Sequence, residues 1–200
     1  FTTESNENLE LLKIMPGAAL GSVRYYLPDF TSLASASCDY ERLLEVFKKY
    51  NIRYFYYIGG NDSMDTCNKI SRYLELVNYE AYVIGIPKTI DNDLPITDHT
   101  PGYGSAIKYV ATTMSQIQLD TSSYKEGRVT IVEIMGRDAG WLAAGAKLAS
   151  INNSAPDLIY LPECAFDVDK FLVDVERIYK EKRKVLVAVG EGIKTKDGEY

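Results

Sequence analysis

Apolar residues recur along the chain in two rhythms, and the rhythms take turns. Leu43, Leu44 and Phe47 lie at helical spacing, with Asp39 as the expected cap. Ile52 to Ile58 reads as a strand and ends in a Gly-Gly turn. A helical stripe of Cys67, Ile70, Leu74 and Val77 follows. Ala81 to Ile86 is a short apolar strand closed by Pro87, and a polar loop then runs from Lys88 to Thr100. Thr100-Pro101 is expected to open a helix reaching about Gln118, with Ile107, Val110, Met114 and Ile117 inward.

The second half repeats the scheme. Val129 to Ile134 predicts a strand, Gly136 to Ser150 an Ala- and Leu-rich helix, and Leu158 to Leu161 a strand ending at Pro162. Asp167 is placed to cap a helix carrying Val168, Phe171, Leu172, Val175 and Ile178. Val185 to Val189 is a continuous apolar run, as a strand covered on both faces requires. Strands alternating with helices predict an α/β fold: doubly wound, mainly parallel sheets with helices on both faces. One βα series ends near Pro101–Gly104 and another begins, which predicts two sub-domains, residues 1–101 and 102–200. The first 38 residues are less regular.

Composition narrows the class. The chain has 200 residues, 46% of them hydrophobic, which excludes a disordered tail. Acids outnumber bases 28 to 22, for a formal charge of −6. A non-specific nucleic-acid or membrane binder usually carries the opposite sign. No apolar run reaches the roughly 18 residues that span a bilayer. Phe1-Thr2-Thr3-Glu4-Ser5 lacks the basic, then apolar, plan of a signal peptide. The three cysteines, Cys38, Cys67 and Cys164, lack Cys-x-x-Cys spacing and read as reduced thiols of a cytoplasmic protein. The only histidine is His99. The chain begins without Met and stops soon after an apolar run, so it reads as a fragment. Trp141 with Leu142 is expected in the core, and the sixteen tyrosines in core and interfaces.

Ligands of open α/β sheets sit at the carboxyl ends of strands, so the strand-end loops carry the candidate chemistry. Gly59-Gly60-Asn61-Asp62-Ser63 joins a strand to a helix. It suits either a phosphate, held by free N–H groups, or a plain tight turn. Pro87-Lys88-Thr89-Ile90-Asp91-Asn92-Asp93 sets a cation, a hydroxyl and two acids within seven residues. Two such acids fit a general base and a Mg²⁺ ligand, or exposed Asx-turns. Met135-Gly136-Arg137-Asp138 offers an arginine fork for a phosphoryl group or sugar, or a surface Arg137–Asp138 pair. Arg128 begins the strand that Arg137 follows, so it serves the same chemistry only from another subunit. Glu191, past Val189-Gly190, fits a sugar hydroxyl or a helix cap.

Taken in order, Gly59–Ser63, Pro87–Asp93, Thr100-Pro101-Gly102-Tyr103-Gly104, Met135-Gly136-Arg137 and Glu191-Gly192 resemble the successive motifs of the 6-phosphofructokinases. Gly21-Ser22-Val23-Arg24 resembles an upstream segment of that family, and the resemblance covers roughly residues 16–193. It implies phosphoryl transfer to the 1-hydroxyl of fructose 6-phosphate, with Mg²⁺. By that resemblance Asp91 is the general base and Thr89 helps place the hydroxyl. Met135, Gly136 and Arg137 line the sugar phosphate, and Glu191 binds sugar hydroxyls. Arg24 and Arg137 steady the phosphoryl charge, and Arg128 reaches a neighbour's site, which implies a homo-oligomer. A base beside an arginine is expected to stay ionised. Residues 1–101 would then belong to the donor domain and 102–200 to the sugar-phosphate domain.

The donor turns on two positions. ATP-using members of the family carry Gly where this chain has Asp62 and Lys88, and the pyrophosphate-using branch carries Asp and Lys. Asp62 would stand where the nucleotide's α-phosphate lies, and Lys88 would supply a point charge to the short donor, so pyrophosphate is favoured. Gly60 belongs to the same donor loop. Much of the family has Asp where Asn61 stands. Asn61 keeps a neutral oxygen for the metal and leaves more of that work to Asp93. Two alternatives remain: an ATP-dependent 6-phosphofructokinase, and a non-catalytic regulatory subunit of the same fold. The family's first strand and glycine-rich loop would precede residue 1, and its later basic residues would follow residue 200.

Overall fold

The structure, a computed structural model, describes residues 3–15, 17–19 and 21–199. Phe1 and Thr2 of the N-terminal stretch, Pro16, where the resemblance begins, Leu20 and Tyr200 lie outside the described residues. The chain divides into two compact units, Phe1–Asn51 and Ile52–Tyr200.

The first unit holds α1 (Asn6–Leu11) and α2 (Cys38–Lys49), with a short 3-10 turn, Leu33–Ser35, between them. The expected cap at Asp39 is corrected to Ser37. The Ser37 hydroxyl is spent on Asp39 Oδ2 at 3.0 Å, and Asp39 and Glu41 occupy the first turn, where carboxylates suit the positive helix end. Tyr40 and Phe47 are buried, while Leu43 and Leu44 are half-buried. The Phe30 and Tyr40 rings meet edge to face at 4.8 Å, and the Tyr40 hydroxyl donates to Pro28 O at 2.6 Å. That satisfies the polar end of a ring whose body packs.

In the second unit, β1 (Tyr54–Gly59) and β2 (Tyr82–Pro87) pair in parallel, joined by α3 (Asn61–Leu76). The helix buries Cys67, Ile70, Tyr73 and Leu74, largely the predicted stripe. It covers the face of the two strands opposite Tyr54, Tyr56, Ile58, Tyr82, Ile84 and Ile86, which are exposed. Of the tyrosines expected in core and interfaces, Tyr40 and Tyr73 are the buried ones among the described residues.

α4 (Tyr103–Ser123), β3 (Arg128–Ile134), α5 (Trp141–Gly145), β4 (Leu158–Tyr160), α6 (Val168–Lys182) and β5 (Lys184–Gly190) complete the unit. The three strands form a parallel sheet in the order β3-β5-β4. β5 is central, which explains its unbroken apolar run. Leu186 and Ala188 face a core made with Met114, Ile134, Leu142, Ala143, Ala146 and Ala149, while Val185 and Val187 pack with Ile178. Asp167 caps α6 as expected, its Oδ1 accepting the Lys170 N–H at 3.0 Å.

α4 begins at Tyr103 rather than Thr100 because Gly102, at φ 92°, turns the chain first. The predicted helix over 136–150 is a loop to Gly140, then α5, then a 3-10 segment, Ala146–Asn152. The amides of Gly136 and Gly140 go to carboxylates instead of to a helical ladder. Trp141 is 53% exposed while Leu142 is buried, so only half of that pair is core. The two sheets lie on either side of Pro101–Gly104, whereas the compact units divide after Asn51. Cys38, Cys67 and Cys164 are free thiols.

Leu186→Ala removes a fully buried side chain where two helices meet the central strand. It is expected to lower unfolding free energy by about 2–5 kcal/mol, the usual range for core truncation. Urea denaturation checks this, and a loss below about 1 kcal/mol would show that the core collapses around the gap.

Candidate active site

Parallel pairing puts the ends of β1 and β2 side by side. The Lys88 N–H donates to Gly59 O at 2.7 Å, so both strands leave the sheet together. Past β1, Gly60 is the N-cap of α3, with Asn61 and Asp62 in its exposed first turn. Past β2 comes the acidic loop. The two loops are tied: Asn61 Nδ2 donates to Asp93 Oδ2 at 2.8 Å. Asn61 is thus bonded to the acid expected at the metal.

Thr89 is buried, and its Oγ1 accepts the Asp91 N–H at 3.1 Å. Ile90 packs against the core under β3 and β5. This brings Asp91 toward the second sheet, and its carboxyl senses the Glu191 charge. Burial first, then Asp93 and Glu191, push the Asp91 carboxyl above the ordinary carboxylate range, while the Thr89 hydrogen bond and the Lys88 charge act the other way. The cation acting on the Asp91 carboxyl is Lys88, and its pull is outweighed by burial and the neighbouring acids.

Asp91 Oδ1 and Asp93 Oδ1 are both buried without a hydrogen-bond partner. Orphaned carboxylate oxygens are unfavourable unless something else meets them. Among the described residues no group of three or more His, Cys, Asp or Glu could close around a metal. Mg²⁺ needs no such cage, since it keeps several waters and takes one or two carboxylates. Asp93 Oδ1, with the neighbouring Asn61 amide, fits that modest demand.

At the second sheet, Glu191 follows β5 and its Oε1 accepts the Gly136 N–H at 3.1 Å. Gly136 sits at φ 120°, and a Cβ there would lie 2.5 Å from Ala139 O, so the loop past β3 requires glycine. Met135 is exposed. Arg137 is also exposed, 3.6 Å from Asp138. Such a pair contributes about 0–1 kcal/mol, so the guanidinium is free to turn to a ligand. Arg128, at the start of β3, stacks 3.5 Å over the Tyr124 ring and lies 3.9 Å from Asp120, away from Arg137. Arg24 belongs to the first unit and is exposed in an irregular stretch.

Three contributors had no assigned role in the sequence. Gly192 lets the Arg137 backbone pass, since a Cβ there would meet Arg137 O. Glu163 accepts the Gly140 N–H at 2.7 Å and so pins the far end of the Arg137 loop. Asn92 lies between the two acids with its side chain buried. The available signals were weak: a glycine after a strand-end acid, and an acid after Pro162.

The frame is that of an α/β protein of the doubly wound class, whose polar site gathers at strand carboxyl ends around paired acids, a glycine turn and an arginine loop. A family model described as Phosphofructokinase matches residues 2–200, and the chain belongs to that family. It is 44% identical over 200 residues to the pyrophosphate–fructose 6-phosphate 1-phosphotransferase of Xanthomonas campestris pv. campestris, matching 98% of this chain and 47% of that relative. To the enzyme of that name from Halomonas elongata it is 42% identical, with the same shares covered. A solved pyrophosphate-dependent phosphofructokinase from Nitrosospira multiformis superposes with a TM-score of 0.82 at 40% identity, covering 100% of this chain and 49% of that one. The chain spans about half the length of the curated relatives it matches. Among the described residues no helix is long and apolar enough to cross a membrane.

Proposed function

We propose that the full-length protein transfers a phosphoryl group from pyrophosphate to the 1-hydroxyl of fructose 6-phosphate, giving fructose 1,6-bisphosphate and phosphate. The observation that carries the choice of donor is the pair Asp62 and Lys88, on adjoining loops past the paired ends of β1 and β2. The relatives named above carry the same donor in their names.

Asp91 takes the hydroxyl proton as the sugar oxygen bonds to phosphorus. The bridging P–O bond of pyrophosphate breaks, and phosphate leaves with its electrons. Thr89 helps place the hydroxyl, and Arg137 meets charge on the moving group. Glu191, Met135 and Gly136 line the sugar side. Asp93 with Asn61 would hold Mg²⁺, which when bound would supply positive charge beside the donor. Residues 1–101 then form part of the donor side and 102–200 part of the sugar side. Arg128, braced on Tyr124, serves the site of a neighbouring subunit in a cytoplasmic homo-oligomer. No nucleic acid or membrane partner is invoked.

The test is a coupled assay of the full-length protein with fructose 6-phosphate and Mg²⁺, comparing pyrophosphate with ATP. Turnover with pyrophosphate at least tenfold above that with ATP is expected. Turnover with ATP alone would replace this reading with the ATP-dependent one.

A further inference from the structure

We infer that Asn92 is the positioning residue that holds Asp91 and Asp93 in place for transfer, an inference that rests on the function proposed above. Asn92 is 7% exposed and has φ 57°. Few residues with side chains adopt that left-handed backbone, and asparagine is among those that do. Both the oxygen and the nitrogen of its amide are engaged across the loop. Nδ2 donates to Asp98 O at 3.2 Å, and Oδ1 accepts from the Thr100 N–H at 2.8 Å and the Thr100 hydroxyl at 3.2 Å.

Thr100 is itself a firm anchor. It is completely buried, and its carbonyl accepts the Tyr103 N–H at 3.2 Å, at the start of α4. One side chain thus ties the middle of the acidic loop to a 21-residue helix that packs on the second sheet. The tie falls between two carboxylates that each hold a buried, unpartnered oxygen. Left to itself, such a loop would turn those oxygens out to water. The strut prevents that relaxation and keeps them set for the reacting groups, so the unfavourable arrangement persists because its surroundings impose it.

The experiment uses full-length protein with Asn92→Gly, which keeps the backbone conformation and deletes all three bonds. Asn92→Asp keeps the shape and the acceptor while losing the donor. Asn92→Gly is expected to lower kcat about 100-fold, the scale of a 1 Å misplacement, with KM for fructose 6-phosphate within about threefold. Asn92→Asp should fall between it and the unaltered protein. Amide hydrogen exchange gives a readout independent of activity: residues 91–100 should exchange at least about tenfold faster in Asn92→Gly, and the sheets no faster. Unaltered kcat, a change confined to KM, or unchanged loop exchange overturns the proposal. Should Asn92→Gly not fold, the same criteria apply to Asn92→Asp. If the unaltered protein shows no pyrophosphate-dependent turnover, the function fails, and loop exchange still decides whether Asn92 is the strut.

Discussion

Asp91→Ser is expected to cut turnover of the full-length protein by about 10²–10⁴-fold, the usual contribution of a positioned general base, while fructose 6-phosphate still binds. The residue combines what that task needs. Its backbone N–H is held by Thr89, and its carboxyl is partly buried and pushed above the ordinary carboxylate range by burial, Asp93 and Glu191. A base raised in this way accepts a proton more readily once ionised. The same shift fixes the sign of its effect on folding. A carboxyl whose folded value is raised opposes folding as pH rises through that value, because the charged form is the one the fold disfavours. The metal-free variant should therefore be no less stable than the unaltered protein at neutral pH, and any gain should fade on acidification. Steady-state kinetics, sugar binding by calorimetry and thermal melts together check this. A drop in turnover below tenfold would remove Asp91 as the base, and a collapse of the melt would mark its role as structural.

What the chain disclosed in advance was decided by periodicity and by turns. Val185–Val189 was legible as a doubly covered strand because no polar residue interrupts it, and β5 is indeed central. Asp167 announced its helix by sequence alone, since capping is local. Gly136 to Ser150 misled for the opposite reason. Its composition favours helix, but two carboxylates more than twenty residues away, Glu163 and Glu191, claim the Gly140 and Gly136 amides. Long-range partners leave no periodic trace. Asn92 was hidden in the same way: a motif shows that an asparagine lies between two acids, but not that its amide reaches Asp98 and Thr100. The burial of the Asp91 carboxyl was not legible, because charge is visible in a sequence and burial is not.

Replacing Asp62 and Lys88 together by glycine is expected to open the donor pocket to nucleotide. The two residues leave adjoining strand ends, where the Gly59 carbonyl and the Lys88 amide hydrogen-bond, so a donor seated at one loop lies beside the other. Asp62 occupies the first turn of α3, a place whose free N–H groups would otherwise suit a phosphate. A carboxylate there repels a longer polyphosphate chain, and opposing like charges costs several kcal/mol. At about 1.4 kcal/mol for each factor of ten, relief of part of that penalty should tighten binding of a non-hydrolysable ATP analogue by about 10–100-fold. Loss of Lys88 should at the same time weaken pyrophosphate, raising its KM, because a compact diphosphate depends on each point charge it meets. The single variants separate the two effects. Asp62→Gly alone should admit nucleotide, and Lys88→Gly alone should only weaken pyrophosphate. Calorimetry with the analogue and initial rates with both donors decide the matter. If the double variant binds the analogue no more tightly, donor choice does not reside in charge and volume at Asp62.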